Sequence, residues 1–274
     1  MYATMKSSSV YRDCDAIVEL YTRQYMTITS DKLEALSGLA SSISELEPGA
    51  PGGGYFAGIW QSSLPAHLLW TTKEAEDLEG RQRPVDYLTP SRYEQYIAPS
   101  WSWASVDGII SLSWCQHHYD LKHYLAKLEP AAIITLRDNP FGGVKYGLLG
   151  LSAPIATVLW ETKNASSLVF PVTGTITKVS PRYLDLTSVS TPPGISTNPE
   201  IFFDTMDDIT EELTLLPIFG VTKRSAHENE AVIGIVLKQP ADREGFVRIG
   251  FFYTMRPQLR RFLRNMPRQS VNIV

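Results

Sequence analysis

Cys115, His117, His118 and His123 are the one concentration of metal-capable and acid–base side chains in this chain. Their spacing holds neither a Cys-x2-Cys pair nor histidines at i and i+4, so it does not suit a tetrahedral zinc site. On a strand, the adjacent His117 and His118 point to opposite faces. An imidazole titrates near neutrality and can act as general acid or base, which makes His118 the candidate catalytic histidine beside the plain reading of surface or satisfied-core histidines. Asp107 is the candidate carboxylate, although an aspartate before Gly108 in a turn is usually structural. Trp101 and Trp103, flanked by serines, share one face if the segment is extended. Two indoles anchoring a core strand are the plain reading, because aromatics bury large areas. The sharper reading is a ligand wall of Trp103, Trp114 and Tyr119.

Other chemistries find no support. The glycine-rich stretch 48–54 lacks the lysine of a P-loop and the spacing of a dinucleotide fold. No serine sits in G-x-S-x-G, and Cys14 lies on an apolar helix face. Asp204, Asp207, Asp208, Glu211 and Glu212 lack the glycine-centred spacing of a calcium loop and read as a solvated helix N-terminus. Arg256, Arg260, Arg261, Arg264 and Arg268 read as the solvated face of a basic helix or tail. The expectation is therefore no metal and no cofactor.

The elements that must position these residues change character along the chain. Cys14, Ile17, Val18, Tyr21 and Tyr25 recur at three- and four-residue spacing, as do Leu33, Leu36, Leu39 and Ile43, which predicts two amphipathic helices. Asp31 and Glu34 suggest a capping box at the second, and 64–70 suggests a short helix. After about residue 95, short β-branched and aromatic runs alternate with Gly, Pro and Asn-Pro breaks. Strands are expected at 109–114, 131–136, 146–151, 155–160, 168–179, 183–187, 213–219, 231–237 and 246–253, the last two as an antiparallel hairpin. Residues 190–199 form a loop of the length that often covers a site. The fold class is α+β: a helical part, 1–95, packed on a large antiparallel β-barrel or sandwich, 96–274, as one integrated domain.

With 274 residues, 43% hydrophobic and 20% charged, the composition is that of a globular protein. A formal charge of −4 argues against a nucleic-acid partner. No apolar run reaches the roughly 18–20 residues of a membrane span, and the first residues lack the apolar core of a signal peptide. Two distant cysteines fit free thiols in a reducing, cytoplasmic setting, where the Asn164 sequon is irrelevant.

Several blocks resemble a known family. Residues 98–108, reading Ala-Pro-Ser-Trp-Ser-Trp-Ala-Ser-Val-Asp-Gly, are similar to the segment that follows the HET domain in fungal heterokaryon-incompatibility-like proteins. Residues 30–40 (Ser-Asp-Lys-Leu-Glu-Ala-Leu-Ser-Gly-Leu-Ala), 55–60 (Tyr-Phe-Ala-Gly-Ile-Trp) and 68–70 (Leu-Leu-Trp) resemble further blocks of that region, and 138–142 and 248–250 echo weaker ones. The HET domain's own motifs are absent, and the chain enters these blocks soon after Met1, so it reads as a stand-alone tail. The resemblance implies a fungal, intracellular origin and the tail's fold; the family's death-signalling role belongs to the missing domain and does not transfer.

Two functions remain open. Six tryptophans and thirteen tyrosines suit a pocket for a hydrophobic small molecule such as a terpenoid or polyketide. There a cofactor-independent cyclase, for example one promoting a cycloaddition, needs only shape, orientation and a few hydrogen-bond donors. The alternative is a non-enzymatic recognition or regulatory module that binds a protein or signalling ligand.

Overall fold

The computed structural model describes residues 9–24, 26–46, 54–73, 89–116, 122–164, 173–179, 199–221 and 230–274. The two expected helices are present: α1, Ser9–Tyr21, and α2, Glu34–Leu46. α1 turns Cys14 inward, and α2 buries Leu36, Ala40 and Ile43, while Leu39 at the stripe's edge stays exposed. The capping box does not form. Asp31 ends a 3-10 turn, Thr29–Asp31, and its N–H donates to the Ile28 carbonyl at 3.2 Å rather than to Glu34. Glu34 instead accepts the Gly143 N–H at 3.0 Å, tying the helix start to a distant loop.

A hairpin of β1 (Tyr55–Phe56) and β2 (Ile59–Trp60) follows, then a 3-10 turn at Ala66–Leu69 where the short helix was expected. β3 (Thr71–Lys73) pairs with β6 (Ile109–Ser111), and β4 (Ser91–Arg92) with β5 (Val106–Asp107). The strand expected over 109–114 stops at Ser111. The chain then turns into α3, Ser113–Gln116, which tucks Cys115 into the core.

The remaining strands build two larger antiparallel sheets. One orders β11 (Thr173–Val179), β10 (Ala156–Asn164), β13 (Glu212–Val221), β14 (Ala231–Lys238), β15 (Val247–Thr254) and β12 (Glu200–Phe203), with β7 (Lys122–Tyr124) also on β13. The other orders β16 (Arg268–Ile273), β9 (Val144–Pro154) and β8 (Lys127–Thr135). The expected hairpin is the β14–β15 pair. β9 runs into β10 through Ile155 and so passes the chain from one sheet to the other. α4, Pro257–Asn265, starts on a proline at its first turn and lays Leu259 and Leu263 on the larger sheet.

Helices and sheets share one core. Leu33 and Leu36 belong to the same cluster as Leu149, Leu151 and Val271 of the smaller sheet and Ile233, Ile235 and Phe251 of the larger. The molecule is α+β; among the described residues the ladders do not close into a barrel. No described helix is long and apolar enough to cross a membrane. Tyr25, residues 183–187 and loop residues 190–198 lie outside the described residues.

Candidate functional site

The Trp-Ser-Trp segment is not a strand. The backbone turns at Pro99–Ser102 and continues as a 3-10 turn, Trp103–Ser105. The reason is local: Ser102 Oγ accepts the Ala104 N–H at 3.0 Å, a serine-capped turn that competes with extended backbone. Both indoles are buried all the same. Trp103 Nε1 donates to the Gly58 carbonyl at 2.9 Å, and its ring meets Tyr21 edge-on at 6.3 Å. Gly58, at φ 94°, is the turn of the first hairpin, and a Cβ there would sit 2.7 Å from Trp103 Nε1. Ser102 Oγ donates to the Ala57 carbonyl at 2.5 Å.

The blocks 68–70 and 248–250 meet this segment. Trp70 Nε1 donates to the Trp101 carbonyl at 3.0 Å. Arg248, fully buried, lies over the Trp70 ring at 3.5 Å and donates to the Leu68 and Trp70 carbonyls and to Asp204. Ser100 Oγ accepts the Arg248 N–H at 2.9 Å and donates to the Val274 carbonyl. Arg92 reaches Asp208, Asp204, Ser105 and the Arg248 carbonyl. Two arginines and two aspartates thus form one buried ionic knot. Burial pulls the Arg248 guanidinium down from its ordinary value against the attraction of Asp204. Burial also lifts the Asp208 carboxyl, Arg92 opposing. Asp204 and Asp208 are consequently not part of a solvated helix N-terminus: the first is 1% exposed, and the segment is a 3-10 turn, Met206–Asp208.

Asp107 sits in a second cluster. Lys32, 2% exposed, donates from Nζ to the Tyr93 hydroxyl at 3.1 Å and to the Val106 carbonyl, with the Tyr93 and Trp103 rings 5.2 and 5.7 Å away. Burial lowers its ammonium to about 8, the Asp107 charge acting in the opposite sense. Burial, the Asp107 charge and a hydrogen bond to Asp107 raise the Tyr93 phenol well above its usual range. A lysine, a phenol and a carboxylate in series can relay a proton, but the Lys32 side chain is almost wholly buried. Trp114 lies elsewhere, stacked on Tyr253 at 5.5 Å and tilted on Phe251 at 4.9 Å. His118 and Tyr119, like His117, lie outside the described residues. Cys115 is buried and His123 exposed on β7, and among the described residues no group of His, Cys, Asp or Glu is placed to hold a metal.

The cavity beside Trp103 is small, about 30 Å³, lined by α1, α2 and the first hairpin with Cys14, Asp15 and His67 in its wall. That is room for one or two waters, against the several hundred Å³ of a typical ligand pocket. Burial and the Asp15 charge push the Cys14 thiol up to about 11, so it is no ready nucleophile.

The larger concavity is an open groove of about 930 Å³ along α4, lined by Glu230, Pro257, Arg260, Arg261, Phe262, Arg264, Asn265 and Met266. Arg260 pairs with Glu230 and Arg264 donates to the Val221 carbonyl at 3.4 Å, while Arg261 is exposed. The Nε atoms of Arg260 and Arg264 are buried and have no acceptor among the described residues. Part of the arginine series therefore lies on a helix, and Arg260, Arg261 and Arg264 line a groove, Arg260 and Arg264 being only partly exposed. No family model, curated protein or solved structure matches this chain.

Proposed function

We propose that this chain is a non-enzymatic recognition module, of the kind suggested by its resemblance to the region following a HET domain, and that it binds an acidic protein segment along α4. The observation that carries this reading is the groove itself. Three arginines line it with one acid, beside Phe262 and Met266, and Arg261 is exposed. Carboxylates satisfy guanidinium donors better than neutral groups do, and an apolar residue between them would rest on Phe262. Of the residues that carry the family resemblance, Trp70, Trp101, Trp103 and Arg248 are occupied with one another inside the core.

The test is fluorescence anisotropy with a labelled peptide of alternating glutamate and leucine. Binding that weakens at least tenfold in Arg261→Glu, and that falls with salt, supports the reading. Affinity equal for wild type, Arg261→Glu and an uncharged control peptide would remove it. The cyclase expected from the aromatic content makes a separate demand: conversion of a polyene or polyketide substrate by purified protein that is lost in His118→Ala.

A further inference from the structure

β8 is the outer strand of its sheet, and among the described residues nothing pairs with its far edge. Exposed edges are normally blunted by charge, proline or a bulge. Here Pro130 and a register shift between Leu128 and Ala131 mark one end, and a second register shift falls between Ile134 and Thr135. The run 131–136, Ala-Ala-Ile-Ile-Thr-Leu, carries neither charge nor proline. Its inward side chains, Ala131 and Ile133, pack on the core. Its outward side chains should be polar if water were their only neighbour. They are Ala132, Ile134 (54% exposed) and Leu136 (58% exposed). β9 extends the same apolar face, with Tyr146 opposite Ile134 and Leu148 opposite Ala132. Tyr96, 51% exposed, adds to it, its hydroxyl meeting the Gly147 backbone.

We infer that this edge pairs with the β8 edge of a second copy of the chain, antiparallel and about a twofold axis near Ile133. The charges choose the occupant and the direction. Lys127 and Glu129 flank the apolar run on one side, and Arg137 and Asp138 on the other. Antiparallel self-pairing sets each end against the opposite end of the partner, so Lys127 and Glu129 meet Arg137 and Asp138 twice over. Parallel pairing would place Lys127 beside Lys127 and Asp138 beside Asp138. A twofold contact uses the same patch on both copies and closes on itself, and the shared ladder satisfies the free backbone groups of both edges. Ile134 then faces Ala132 of the other copy, with the second Ile134 diagonal to it.

Sedimentation velocity of the whole chain over roughly a hundredfold range of concentration tests this. The expected result is a species of twice the 30.6 kDa chain mass at the upper end, lost in Ile134→Lys, whose thermal melt matches wild type. A wild type that stays monomeric throughout, or a dimer unchanged by Ile134→Lys, overturns the inference. Hydrogen exchange on the wild type gives an answer even if the variant misfolds. Protection of 131–136 should rise with concentration, and no rise there would refute the pairing.

Discussion

At the scale of single residues, the positions with chemical potential are mostly committed to holding the fold. Lys32 is the clearest case. An unfolded lysine titrates near 10.4, and burial lowers Lys32 to about 8. Between those values the unfolded chain holds a proton that the native one has released, so stability rises with pH through that window. Below it the native state carries the full cost of the buried ammonium. Denaturant titrations at about pH 7 and 9.5 should therefore differ by about 2 kcal/mol in favour of the higher pH, and Lys32→Met should lack this gain. At higher pH, tyrosine ionisation in the unfolded chain opposes the trend, since Tyr21 is held up to about 12 by burial. A flat wild-type profile would mean that Lys32 is solvated. Asp204 makes a sharper prediction. Asp204→Asn removes the main counter-charge of the fully buried Arg248 and should cost about 3–5 kcal/mol, read as a lowered denaturation midpoint with unchanged slope. A loss within error would show that water reaches Arg248.

At the scale of elements, periodicity carried the reading well where one face alone is buried. α1, α2 and the β14–β15 hairpin lie where their spacing places them. It failed where side chains take over from the backbone pattern. The serine-capped turn at Trp103–Ser105 breaks an alternation that reads as a strand, and Ser113–Gln116 winds into helix two residues after β6 ends. Short strands such as β4 and β5 exist because distant partners meet, which local spacing does not encode. The ionic knot was illegible for the same reason: Arg92, Asp204 and Arg248 are far apart in sequence and joined only by packing. Of the candidate residues, Trp103 and Asp107 both contact the Lys32 cluster, while Trp114 packs on β15. The hairpin turn offers an element-scale test. Gly58→Ala forces a side chain onto Trp103 at a positive φ, which costs about 1–3 kcal/mol. A melt unchanged from wild type would show that the hairpin moves freely against Trp103.

For the whole molecule, the most distinctive motifs build the interior, and the proposed binding falls to the α4 surface. One paired measurement on two variants tests that division, combining denaturant stability with affinity for the glutamate–leucine peptide. Ser100→Ala removes the link between the Arg248 backbone and the Val274 carbonyl. It should lose about 1–3 kcal/mol of stability while keeping its affinity within about twofold. Arg261→Glu, on an exposed turn of α4, should keep its stability within about 0.5 kcal/mol and lose affinity at least tenfold. The opposite pattern, with peptide binding abolished by Ser100→Ala and untouched by Arg261→Glu, would contradict the account and move the functional site into the Trp-Ser-Trp core.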